Sequence, residues 1–113
     1  MLTLDLSDFR VAVTGCSSGI GLATAQLFLR AGACVSICGR DEKRLRTAEA
    51  ALRDAHPGAR LFAQPCNVLD AAQTRAFAAA AADAFGGVDA LINNAGQGRV
   101  STFADTSDEA WAE

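Results

Sequence analysis

Hydrophobic positions fall into short solid blocks, and between the blocks they recur every three or four residues. "RVAVT" at Arg10–Thr14 is a block of strand length. Beyond it, Ile20, Ala23, Leu27 and Ala31 recur at helical spacing and predict a helix that buries this face and stops at Gly32. "ACVSIC", Ala33–Cys38, is a second strand. Asp41 is placed to cap a helix whose apolar face is Leu45, Ala48, Leu52 and Ala55, and "HPGA" stops it. "RLFAQPC" is a third strand with Pro65 near its end. Asp70 is placed to cap a third helix running to about Phe85, with Gly86 and Gly87 as its stop. "VDALIN", Val88–Asn93, is a fourth strand, and "TSDEAW" opens a fourth helix with Thr106 or Ser107 as its cap.

Strand and helix alternate throughout, and the strands are nearly all apolar, as parallel strands covered on both faces require. Right-handed crossovers then give an open, doubly wound parallel α/β sheet. The chain has 113 residues, which suits one domain or part of one. Hydrophobic residues make up 50% and charged residues 20%, which argues against disorder. A net charge of −3 offers no basic face for nucleic acid, although Arg40, Lys43, Arg44 and Arg46 form a local basic cluster. The N-terminus "MLTLDLSDFR" has no basic segment before an apolar core, and "AFAAAAADAF" is broken by Asp83 and too weakly hydrophobic to cross a bilayer. A cytoplasmic chain with no membrane and no nucleic-acid partner is expected. Cys16, Cys34, Cys38 and Cys66 form neither a C-x-x-C pair nor a Cys/His cluster, so they read as reduced core thiols and no metal site is expected.

"VTGCSSGIGLATAQLF", residues 13–28, sets Gly15, Gly19 and Gly21 between the first strand and the first helix. Such a turn makes a phosphate site: free N–H groups at the helix start point at the anion and the helix dipole favours negative charge. Glycine keeps Cβ atoms away from the ligand. Leu22 stands where a triphosphate-binding loop needs Lys, so that chemistry is disfavoured. The spacing also differs from the commoner G-x-G-x-x-G fingerprint.

"TGCSSGIG" resembles the T-G-x-x-x-G-x-G turn of the short-chain dehydrogenase/reductase family, and "NNAG" at Asn93–Gly96 resembles the motif that follows the fourth strand in that family. The resemblance implies a Rossmann-like fold in which residues 1–113 form part of a dinucleotide-binding domain. By this resemblance Gly15, Ser17, Ser18, Gly19, Ile20 and Gly21 wrap the cofactor phosphates. Gly39 stands where relatives that prefer NAD carry Asp, and Arg40 follows; an arginine there accommodates the 2′-phosphate of NADP. NADP is therefore expected over NAD. Asn67 replaces the family's Asp, and its amide oxygen can accept from the adenine amino group; the Val68 backbone would meet the ring. Asn94, Ala95 and Gly96 would line the ribose, and Asn93 has an equally good role in tying the sheet together.

The family's hydride transfer depends on a Tyr-x-x-x-Lys pair and a Ser. The chain has no Tyr, and Lys43, its one Lys, lies in the second helix. Ser101 is not expected to be catalytic, because the family's Ser follows a fifth strand. His56 before Pro57 reads as structural. The chain thus reads as the cofactor-binding portion of an NADP-dependent oxidoreductase acting on a carbonyl/alcohol pair, truncated after the fourth strand and the start of the fourth helix. The parent is expected to take a small-molecule substrate and to be a homo-oligomer. The alternative is a non-catalytic nucleotide-binding or regulatory protein. Without a fifth strand, "DALIN" is expected to leave an apolar, unpaired edge, so that the chain alone folds poorly, self-associates and does not catalyse.

Overall fold

A computed structural model of the chain describes residues 5–16 and 19–94, and residues 99–101 as backbone. The apolar blocks become β1 (Arg10–Thr14), β2 (Cys34–Gly39), β3 (Leu61–Pro65) and β4 (Ala90–Asn93). Between them run α1 (Gly19–Arg30), α2 (Glu42–Ala55) and α3 (Ala71–Phe85), and β5 (Arg99–Ser101) follows. The sheet order is β3-β2-β1-β4-β5, with β1 to β4 mutually parallel. It is a Rossmann-like α/β fold.

The period-two alternation of the strands sorts the core into two layers. Val11, Val13, Val35, Ile37 and Ile92 face one side and meet Ala25 and Leu29 of α1 and Leu45 and Leu52 of α2. Ala12, Cys38 and Leu91 face the other side and meet Phe77 of α3. α1 and α2 therefore cover one face and α3 the other. The chain steps from β1 to β2 to β3, then crosses the opposite face to place β4 on the far side of β1. This reversal makes a switch point between the C-terminal ends of β1 and β4, where open α/β sheets leave a crevice.

The expected caps form. Asp41 accepts the Arg44 N–H at 3.1 Å, and Asp70 accepts the N–H groups of Ala72 and Gln73 at 3.0 and 3.2 Å. Three expectations need correction. The first concerns the buried face of α1, which is Gly21, Ala25 and Leu29, while Ile20 and Leu27 are 73% and 62% exposed. Large apolar residues suggest the wrong stripe because this helix meets the sheet first through Gly21 and Ala25. The second is Ala55, which is exposed at the end of α2. The third is the edge at β4: β5 pairs antiparallel with it, matching Ile92 to Val100 and Asn93 to Arg99, so β4 is not an unpaired edge. The fourth helix from Thr106 lies outside the described residues.

The other edge is β3. Its even-numbered positions bond inward, as the Val35 N–H to Arg60 carbonyl bond and the Cys66 N–H to Gly39 carbonyl bond show. Pro65 falls on an outward position, where its missing N–H costs no ladder bond. The outward carbonyls of Leu61 and Ala63 accept from Arg53 at 2.8 Å and Arg46 at 3.3 Å. Both arginines are held by Glu49, each at 2.9 Å.

At the N-terminal end of the sheet, Arg10 joins β1 to the start of β4. Its guanidinium bonds both Asp89 oxygens at 3.0 and 3.1 Å and the Gly86 carbonyl at 2.7 Å. Gly86 caps α3 in the left-handed region (φ 79°), and a Cβ on Gly87 would lie 2.6 Å from the Arg10 guanidinium. The hydrogen bond from Arg10 holds the Asp89 carboxyl below its ordinary range. A carboxyl depressed on folding adds stability above its unfolded pKa and loses it as pH falls through the folded value. Asp89→Asn should therefore melt at a lower temperature than the parent at pH 7. The gap should close below about pH 4, read by thermal melts across pH; a gap that persists at low pH would contradict this.

Candidate functional site

Thr14 is the last residue of β1 and is fully buried. Its hydroxyl donates to Asn93 Oδ1 at 2.7 Å and accepts the Asn94 N–H at 3.1 Å. One side chain thus fastens the end of β1 to the end of β4 across the switch point. The structural role expected of Asn93 is seen directly. Thr14 is a site residue that sequence reasoning misses; the available signal is a polar residue closing an apolar strand immediately before a glycine.

Gly15 then turns the chain with φ 66°, in the left-handed region. Cys16 is fully buried beneath the turn, its N–H donates to the Cys38 carbonyl at 3.1 Å, and its thiol reaches the Gly21 carbonyl at 3.3 Å. Burial pushes the Cys16 thiol up to about 12, so it is no nucleophile at neutral pH. The remaining glycines divide the work. A Cβ on Gly21 would lie 2.3 Å from the Gly15 carbonyl oxygen, so α1 sits directly on the turn. Among the described residues a Cβ on Gly19 would meet nothing within 4 Å, and this residue opens α1. The start of α1 is therefore uncrowded by described side chains at Gly19. Ile20, beside it, presents an exposed apolar side chain. Ser17 and Ser18, and likewise Ala95 and Gly96, lie outside the described residues.

Arg40 follows β2 and is exposed, with no hydrogen bond or ion pair to a described residue. Its neighbours differ. Asp41 is consumed as the α2 cap, and Arg46 is engaged by Glu42, Glu49 and the Ala63 carbonyl. The basic cluster read from the sequence thus separates into a structural arginine and three cations, Arg40, Lys43 and Arg44, left exposed. Beyond β3, the Asn67 amide oxygen accepts the Leu69 N–H at 3.1 Å, so part of its accepting capacity goes to its own turn. Val68 packs into the second core layer, and its carbonyl accepts the Thr74 hydroxyl at 3.3 Å. That contact engages one of the two polar groups of the Val68 backbone. Leu69, next in the same turn, is 62% exposed, and in the sequence it looks like any other apolar residue. The buried Asn94 Nδ2 finds no partner among the described residues. A buried amide donor left open at the mouth of a crevice suits a polar ligand.

Among the described residues no His/Cys/Asp/Glu group is arranged to hold a metal. An open helix N-terminus at a switch point, seated on a glycine turn, defines a phosphate-binding α/β fold of the dinucleotide-binding kind.

Residues 10–113 match the short chain dehydrogenase family, and the chain belongs to it. It is similar to an NADPH-bound short chain oxidoreductase from Pseudomonas aeruginosa PAO1, described as containing an atypical catalytic center. That match has 62% identity and a TM-score of 0.81, over 96% of this chain and 42% of that one. L-sorbose reductase from Gluconobacter frateurii, complexed with NADPH and L-sorbose, matches at 33% identity and a TM-score of 0.78, over 98% of this chain and 42% of that one. Dehydrogenase/reductase SDR family member 7B from Rattus norvegicus is 43% identical over 100 residues, which is 85% of this chain and 31% of that protein. The chain spans about two-fifths or less of the length of these relatives. No helix among the described residues is long and apolar enough to cross a membrane.

The two glycines should respond differently to a methyl group. Gly21→Ala should lower stability by about 1–3 kcal/mol, because backbone must move to admit it. Gly19→Ala should change stability by less than roughly 0.5 kcal/mol, since the added methyl at the start of α1 meets no described atom. Denaturant unfolding of both variants checks this, and equal losses would refute the division of roles.

Proposed function

We propose that the chain is the cofactor-binding portion of an NADP-dependent oxidoreductase that moves a hydride between the nicotinamide and a small carbonyl or alcohol. The observation that carries the reading is the pairing of an open helix start at Gly19 with an uncommitted Arg40 at the end of the neighbouring strand. The first suits a pyrophosphate and the second a ribose phosphate. The unpartnered Asn94 amide fits the same ligand. Gly15, Ser17, Ser18, Gly19, Ile20 and Gly21 would hold the phosphates. Arg40 would read the 2′-phosphate, Asn67 and Val68 would border the adenine, and Asn94, Ala95 and Gly96 the ribose. The bound cofactor supplies the hydride. This chain's own residues bind and orient it: Gly21 holds α1 against the turn, and Thr14 fixes the spacing of the two strand ends. NADPH-bound relatives at 62% and 33% identity support the choice of cofactor. A homo-oligomeric, cytoplasmic parent belongs to the same reading.

The rival reading is a nucleotide-binding protein without catalysis. It predicts cofactor binding without turnover in the full-length protein. The familiar Tyr-x-x-x-Lys pair is a poor arbiter, since the 62% identical oxidoreductase is itself described as having an atypical catalytic center. Turnover decides instead. The full-length protein should oxidise NADPH in the presence of some member of a carbonyl panel; tight NADPH binding with no turnover across the panel would favour the rival.

Arg40→Asp should lower the preference for NADPH over NADH by an order of magnitude or more, since a charge-assisted pair is worth roughly 1.5–3 kcal/mol. Binding titrations with both cofactors read this, and unchanged discrimination would remove Arg40 from the site.

A further inference from the structure

Two thiols lie together under the adenosine end of the site, and the cofactor reading makes no use of them. Cys38 and Cys66 belong to the same buried core cluster, on the α3 side of the sheet, at the ends of two paired strands. Cys38 faces Gln64 in register, and the Cys66 N–H extends the ladder to the Gly39 carbonyl at 3.0 Å. The other two cysteines are placed apart. Cys16 lies in the opposite core layer with its thiol on the Gly21 carbonyl, and Cys34 begins β2 at the far end of that strand.

We propose that Cys38 and Cys66 are a peroxide-oxidisable dithiol that closes to an intramolecular disulfide. On parallel strands about 4.8 Å apart, a residue two beyond the register partner sits roughly 8 Å away at Cα, and a disulfide wants about 5.5–6 Å, so closure draws the end of β3 inward by about 2 Å. That end can move. Cys66 lies one residue beyond β3, which is an edge strand, and an exposed turn follows. Local opening there also admits peroxide to a buried thiol.

The order of events follows from the surroundings. Cys66 is the more peripheral of the two, one residue beyond the edge strand, whereas Cys38 is fully buried within the inner strand beside it. The neighbouring Cys38 thiol holds Cys66 below the ordinary thiol range, and the Cys66 neighbour together with burial holds Cys38 above it. Cys66 is therefore the attacking thiolate. Its sulfur takes the proximal oxygen of hydrogen peroxide, the O–O bond breaks, and hydroxide leaves and is protonated to water. Cys38 then gives up its proton and attacks the Cys66 sulfenic sulfur. The S–S bond forms, the S–O bond breaks, and a second water leaves. Two thiols are oxidised and one peroxide is reduced. The product joins the strand ends from which Arg40 and Asn67 project.

Mass spectrometry of the full chain after peroxide treatment tests this without reference to cofactor binding. The expected result before alkylation is a loss of about 2 Da, two hydrogens, that dithiothreitol reverses, and alkylation under denaturing conditions should then label two of the four cysteines instead of all four. Peptide mapping should show a Cys38–Cys66 link, with Cys16 and Cys34 still alkylated. Cys38→Ala should leave a Cys66 sulfenic acid that dimedone traps, and Cys66→Ala should leave Cys38 unoxidised. An unchanged mass, oxygen addition in place of hydrogen loss in the parent chain, or a link through Cys16 or Cys34 would overturn the proposal. The mass and peptide map of the parent chain suffice to decide, even if a variant fails to fold.

Discussion

The contact between Gly21 and Gly15 governs the rest of this structure. A helix normally stands off a strand by the length of its side chains. Here backbone meets backbone, with no room for a single Cβ. Once α1 is set that close, its first turn points across the end of the sheet, and Ala25 and Leu29, in line with Gly21, become the packing face. The thiol of Cys16 fills the space beneath and bonds the same helical turn. Ile20 and Leu27 are displaced to the outside as a result. The opening at Gly19 is thus a by-product of tight packing two residues later.

Polar groups divide along the same line. Away from the crevice they are spent on the fold: Arg10 on Asp89, Arg46 and Arg53 on Glu49, Arg60 on the Ser7 and Gly32 carbonyls. Near the crevice they are left without partners among the described residues, with Arg40 exposed and the Asn94 amide buried. Native proteins leave few buried donors unsatisfied, and such exceptions usually mark a place that something else completes.

The fold is legible in the sequence because its signals are local. Solid apolar blocks mark the strands, and Asp41, Asp70 and Gly86 mark helix ends within a residue or so of where they fall. The glycine spacing and "NNAG" locate both sides of the crevice. What escapes depends on partners far apart in the chain. Thr14 matters only because Asn93 and Asn94 lie beside it, 79 and 80 residues on. The buried stripe of α1 is hidden because hydrophobicity weighs large side chains, whereas the contact at Gly21 selects for the smallest. The pairing of β5 with β4 adds a three-residue segment, Arg99–Ser101, too short to carry a strand pattern of its own. Asn67 keeps its place but shares its oxygen with a neighbouring N–H, a detail that single residue types do not reveal.

The arginines along β3 give the sheet a direction. Arg46 and Arg53 occupy the outward carbonyls of Ala63 and Leu61, and Pro65 offers no donor beyond them. A strand arriving from outside would find its docking points taken, at a rim that ordinarily invites pairing. One flank is sealed by charge and by an imino acid, and among the described residues the other ends on the short β5. A strand adding beyond β3, from further chain or from a second copy, would have to displace both arginines, so extension of this sheet is steered away from that flank.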